Sequence, residues 1–199
     1  MIEKSRLHIP RPTARPGDEP DFSYLDLSPA GSIDKPPISS RTRDIEYLSS
    51  GLVRVLDEDF TAKGPWDPGL DATQLQVALR WMMLTRALDE RMWQIQRQGR
   101  ISFYIQSLGE EAVSIAQGMA LRHGDMCFPS YRNQGLYLYR GVKLVDMLCQ
   151  CLSNTRDMCK GRQLPIMYHS KAGNVFSISG NLATQFPQAV GWAMASAIK

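Results

Sequence analysis

Three short stretches of this chain combine side chains that can hold a phosphorylated ligand or a cation. Ser130-Tyr131-Arg132 follows the turn His123-Gly124-Asp125 and a short apolar run to Pro129. An arginine fork beside a phenol oxygen grips phosphate through charge-assisted hydrogen bonds. On spacing alone, the commoner explanation is a surface arginine packed on a tyrosine. Between Arg156 and Lys171, four cations (Arg156, Lys160, Arg162, Lys171) and His169 share a loop that contains Gly161 and Pro165. A polyanion suits that run, although a solvated charged loop explains it as well. From Ser177 to Gln185, hydroxyls, amides and carbonyls cluster just ahead of an expected helix. Neutral oxygens of this kind suit a large monovalent cation, and helix capping by Ser179 or Thr184 is the alternative.

Other chemistries are poorly served. The four cysteines, Cys127, Cys149, Cys151 and Cys159, include no pair with the two-residue gap of a zinc knuckle. They read as small buried hydrophobes of a reducing compartment. A balance of 23 basic to 20 acidic side chains gives a net charge of +3, too mild for nucleic acid to be the main partner. No stretch approaches the ~20 apolar residues of a membrane span. Residues 1–21 lack the apolar core of a signal peptide, and Glu3, Asp18, Glu19 and Asp21 argue against a transit peptide, so the expected location is the cytoplasm.

The elements that must position these stretches are mainly helices. Seven of the twelve prolines fall in the first 37 residues, which predicts an extended arm over 1–50 without regular structure before about residue 48. A domain is expected over 51–199. Leu52 to Asp57 is a candidate short strand ahead of a turn-rich segment. The first helix is predicted from Ala72 to Gln98, with Asp71 as N-cap, Gln74 reaching back to it and Gly99 as the stop. Its charges, Asp89 among them, read as a solvated or interface face. Further helices are expected over Glu110–Arg122, Lys143–Leu152 and from about Pro187 to the end; Ile101–Ile105 and Val175–Ile178 are the best remaining strand candidates. The chain ends inside the last helix with few strands, and it reads as a fragment of an α/β domain.

Five blocks in register carry a resemblance. They are Arg97-Gln98-Gly99-Arg100-Ile101-Ser102-Phe103-Tyr104, Gly109-Glu110-Glu111-Ala112, Tyr131-Arg132-Asn133-Gln134-Gly135, Lys160-Gly161-Arg162-Gln163-Leu164-Pro165 and the run from Leu182 to Gly191. Together they resemble the alpha subunits of thiamine-diphosphate-dependent 2-oxo acid dehydrogenases over about residues 52–199. The wording at Ile101–Tyr104 and in the Leu182-Ala183-Thr184-Gln185 loop is most similar to the branched-chain enzymes, which act on 3-methyl-2-oxobutanoate. Pyruvate and acetoin dehydrogenases are the near alternatives. A non-catalytic truncated chain that only docks its partner is the rival of another class.

The resemblance implies the thiamine-diphosphate-binding α/β fold, a parallel sheet flanked by helices, incomplete and mostly helical in the part present. It implies oxidative decarboxylation of branched-chain 2-oxo acids and transfer of the acyl group to a lipoyl-bearing transacylase, by a tetramer of two alpha and two beta subunits. Tyr131 and Arg132 would bind the diphosphate, with Ser130 beside them, although some relatives carry glutamine at that position. Ser179 and Leu182 would line the cofactor. Phe103 and Tyr104 would border an apolar substrate pocket. Ser179, the Asn181 carbonyl, Thr184 and Gln185 would surround a potassium ion; some relatives have proline in place of Asn181. The magnesium motif would lie beyond Lys199, so magnesium ligands and an assignable catalytic residue are expected outside this stretch, leaving the 199 residues inactive alone. Gly124-Asp125 and the distant Asn154 only mimic that motif, because Met126 replaces its second glycine and a helix end, not a strand, leads into the turn.

Overall fold

The computed structural model describes residues 17–19, 28–49 and 51–198. Half of the proline-rich arm predicted over 1–50 therefore lies outside the described residues. The chain divides into two compact units between Gly69 and Leu70.

In the first unit, a 3-10 helix spans Thr42–Ser49, where the sequence predicted no regular structure before about residue 48. Only Pro36 and Pro37 precede it closely, and the eight residues themselves contain no proline to interrupt a turn. The strand expected over Leu52–Asp57 is reduced to one bridge, Leu56 to Ala62. Asp57 explains why the ladder stops: its carboxylate accepts from the amides of Asp59 and Thr61 and tightens the chain into a turn, with Lys63 at 2.8 Å. Gly31 and Gly64 meet backbone to backbone, and a Cβ on Gly64 would fall 2.4 Å from the Gly31 Cα.

The second unit is built on five helices: α1 Ala72–Arg97, α2 Glu111–Ala120, α3 Gln134–Tyr139, α4 Leu144–Cys151 and α5 Gln185–Ile198. Helix α1 begins on the capping box expected of it, Asp71 accepting from the Gln74 amide while Gln74 accepts from the Asp71 amide. Its buried stripe is Thr85, Leu88, Asp89 and Met92, the spacing of one helix face. Helices α1, α2 and α3 pack on one another. Close approach there depends on glycine: a Cβ at Gly135 would stand 3.1 Å from both Ser114 Cβ and Thr85 Oγ1, and one at Gly118 would stand 2.6 Å from the Tyr139 ring.

Among the described residues no strand forms, and the expectations for Ile101–Ile105 and Val175–Ile178 are corrected accordingly. Ile101 and Ser102 form a bend, and residues 103–107 are irregular chain tied by side chains instead of a ladder. Val175 keeps two single bridges, antiparallel to Ser170 and parallel to Cys127. In the parallel one, the Cys127 amide donates to Asn174 O at 2.8 Å and the Phe176 amide donates to Cys127 O at 2.9 Å. All four cysteines are free and buried. None of the helices described is long and apolar enough to cross a membrane.

Candidate functional site

The parallel bridge sets the geometry of the site. Tyr131 lies four residues beyond Cys127, and Ser179 lies four residues beyond Val175. Two adjacent chain segments running the same way thus deliver the two oxygen-and-cation stretches from their C-terminal ends. That is where open α/β arrangements bind ligands. Phe128 buttresses the pair, its ring 5.2 Å from Phe176 and 6.3 Å from Trp192 of α5.

Both segments are stapled at their roots by Arg140. Its guanidinium donates to the carbonyls of Arg122, His123 and Asp125 ahead of Cys127, and to Gly173 O ahead of Val175, at 2.7–2.9 Å. Asp125 and Gly173 each stand two residues before their bridge partner. A cleft of about 280 Å³ is lined by Gly118, Leu121, His123, Tyr139, Arg140 and Gly141. It holds none of the residues singled out from the sequence, and Arg140 has committed its N–H groups to four carbonyls, so the cleft is a by-product of the staple.

On the first segment, Ser130 is fixed by Asn133, whose Oδ1 accepts from the Ser130 amide at 2.8 Å and hydroxyl at 3.0 Å. Asn133 Nδ2 in turn donates to Ser114 of α2. Tyr131 packs half-buried on the core. Arg132 lies with its guanidinium 5.9 Å from the Tyr131 ring centre and donates from Nη1 to Gln106 O. Its Nε stands 4.0 Å from Glu110 Oε1.

The Phe103–Ser107 stretch is held from beneath. Phe103 packs partly buried against the core. Tyr104 is 4% exposed, and its hydroxyl donates to Asp89 at 2.7 Å, so the phenol oxygen is committed to a carboxylate and not to an open pocket. Burial and the Asp89 charge push the Tyr104 phenol well above its ordinary range. Burial likewise raises the Asp89 carboxyl, against the pull of its bonds from Tyr104 and Ser107. The sequence pattern placed Asp89 on a solvated or interface face; it is fully buried inside the chain. Nearby Glu111 is buried and paired with Arg86, which holds its carboxyl below the usual glutamate value.

On the second segment, Ser179 Oγ accepts from the Asn181 amide at 3.2 Å, and the Thr184 hydroxyl donates to Asn181 O at 3.0 Å. Ala183 adopts a positive φ of 65°, closing the loop before Gln185 opens α5. Leu182 is 79% exposed at the loop tip. The loop therefore gathers Ser179 Oγ, Asn181 O and Thr184 Oγ1 within one turn. The cationic run is arranged differently: Asp157 is buried and caps the amides of Cys159 and Gly161, while Lys160, Arg162 and Lys171 are exposed. His169 faces the Cys159 thiol at 3.4 Å.

Comparison with known proteins decides the family. Residues 79–199 match the dehydrogenase E1 component family, and residues 3–43 match the 2-oxoisovalerate dehydrogenase E1 alpha subunit N-terminal family. This chain belongs to the dehydrogenase E1 component family. The chain is 59% identical to the 2-oxoisovalerate dehydrogenase subunit alpha of Pseudomonas aeruginosa over 99% of its length, covering 48% of that protein. It is 41% identical to a mitochondrial 2-oxoisovalerate dehydrogenase subunit alpha 1 of Arabidopsis thaliana over 87% of this chain and 37% of that one. The mitochondrial human subunit alpha is 34% identical over 96% of this chain and 43% of its own. The chain thus spans about half the length, or less, of these E1 component relatives. For an anionic cofactor of that family the donor set fits: a half-exposed guanidinium with unspent N–H groups and a phenol stand on one segment, with a hydroxyl on the next.

Proposed function

We propose that this chain supplies the diphosphate-holding part of the alpha subunit of a branched-chain 2-oxo acid dehydrogenase in the cytoplasm, with the thiamine-diphosphate-binding α/β fold. The single observation that carries the reading is the parallel bridge that brings Tyr131–Arg132 and Ser179–Gln185 to the ends of neighbouring segments. The E1 component family depends on thiamine diphosphate. When bound, that group accepts the electrons released as carbon dioxide leaves a 2-oxo acid.

This chain's part is grip, orientation and dryness. Arg132 and Tyr131 hold the diphosphate, with Ser130 behind them, and Ser179 and Leu182 line the cofactor. Phe103 supplies an apolar wall for the substrate, with Tyr104 as the buried post beneath it. Discrimination by methylenes contributes only ~1–3 kcal/mol, so several branched 2-oxo acids should be accepted. Ser179, Asn181, Thr184 and Gln185 form a potassium site, and magnesium is bound by residues outside these 199. A beta subunit in a two-alpha, two-beta tetramer and a lipoyl-bearing transacylase complete the reaction. The test is turnover by the full-length alpha chain assembled with its beta partner. Faster decarboxylation of 3-methyl-2-oxobutanoate than of pyruvate supports the reading. The opposite preference reassigns it to pyruvate, and cofactor-independent behaviour leaves only an assembly role.

A further inference from the structure

We propose that Asp89 is a positioning residue for the diphosphate-binding arginine, acting through the Tyr104–Ser107 segment. The inference rests on the reading of Arg132 given above. Asp89 sits on the buried stripe of α1 with 0% exposure, and among the described residues it makes no ion pair. A buried carboxylate without a cation is expensive unless its oxygens are fully hydrogen-bonded. Here they accept three bonds, from the Tyr104 hydroxyl at 2.7 Å, the Ser107 amide at 2.6 Å and the Ser107 hydroxyl at 2.8 Å.

All three donors belong to one four-residue stretch, and the two residues between them carry the carbonyls that meet Gln134 and Arg132. Ile105 O accepts from Gln134 Nε2 at 2.8 Å, and Gln106 O accepts from Arg132 Nη1. With Tyr104 and Ser107 pinned to a single carboxylate, the carbonyls of Ile105 and Gln106 have no freedom to turn. One end of the Arg132 guanidinium is thereby fixed, and its other N–H groups are left for a ligand. The segment makes no ladder that could hold it the same way. An apolar residue at position 89 would fill the space at lower desolvation cost, but it would leave the Tyr104 and Ser107 donors without an acceptor and the carbonyls unaimed.

The experiment is a double-mutant cycle on the full-length protein with its partner subunit, titrated calorimetrically with thiamine diphosphate in excess magnesium. Asp89→Asn should weaken binding about tenfold, the worth of a charge-assisted bond. In an Arg132→Gln background the same change should weaken binding less than about twofold, because its route to the ligand is gone. An unchanged Kd for Asp89→Asn, or an effect that adds in full to that of Arg132→Gln, overturns the proposal and leaves Asp89 a purely structural acid. Should Asp89→Asn fail to fold, Tyr104→Phe removes one of the three bonds and takes its place in the same cycle, where a silent or fully additive effect overturns the proposal equally. Arg132→Gln that binds thiamine diphosphate as well as the parent sinks the site reading itself, and the positioning role with it. Loss on Arg132→Gln beside a silent Asp89→Asn and Tyr104→Phe sinks the positioning role alone.

Discussion

The two stretches that face the proposed cofactor are held in opposite ways. Ser130–Gln134 is anchored by bonds to distant parts of the chain: Asn133 to Ser114, Arg132 to Gln106 and Gln134 to Ile105. The Ser179–Gln185 loop is closed by bonds within itself, Asn181 to Ser179 and Thr184 to Asn181, with its tip exposed. The first is therefore fixed when the helices pack. The second can exchange its local bonds for contacts with a cation without disturbing any other element. A cofactor held between the two stretches, as proposed, would meet one wall fixed by the fold and one set by binding.

The strongest way to break this contrast is Arg132→Gln, which should weaken thiamine diphosphate binding about a hundredfold by removing paired charge-assisted bonds. A loss of only a few fold in a calorimetric titration would mean that the rigid wall does not carry the grip. Next, Gly135→Ala forces a methyl against Thr85, Ser114 and Ile115 and should cost about 1–3 kcal/mol in denaturant unfolding. A neutral result would show that the α1–α2–α3 junction is looser than the rigid wall requires. Arg140→Lys keeps the charge but loses the four-way fork, and it should cost about 1–2 kcal/mol. It tests whether one staple aligns both walls: a stability loss without weaker cofactor binding would show that they are aligned independently.

Two smaller effects sharpen the contrast. Thr184→Val deletes an exposed local bond and should change stability by less than about 0.5 kcal/mol. It should nevertheless abolish any gain in cofactor affinity when potassium replaces a large organic cation. The last is a pH effect at the base of the rigid wall. Glu111 is held below its ordinary value of 4.5, first by its bond from Arg86, so its stabilisation is present above that pH and lost as acid titrates it. Melting temperatures of the parent and Glu111→Gln should therefore converge on acidification from about pH 6 to about pH 3, whereas a constant gap would show that the ion pair is inert.

Where a local signal specifies an element, the sequence was readable. Asp71 and Gln74 mark the start of α1, and the bounds of α2 and α4 fall within two residues of expectation. Helix α3 was missed because five of its six residues, Gln134 to Leu138, are buried on all sides and leave no amphipathic period. The strands were over-read because an apolar run says nothing about whether a partner segment runs alongside it. Asp89 was the most instructive miss. It stands four residues after Thr85 and three before Met92, on the same stripe as Leu88, so the position was polar on an otherwise inward face. That was the available signal, but naming Tyr104 and Ser107 as its partners required the fold. The family itself was legible from its five blocks, whereas the staple by Arg140 depends on carbonyls that no side-chain pattern encodes.

Tyr104, Tyr137 and Tyr168 are sealed in the core, and burial lifts all three phenols far above their free value. In alkaline ultraviolet titration these three chromophores should stay silent until the interior opens, and then appear together. The protein thus carries its own optical unfolding gauge, readable without a dye or a label.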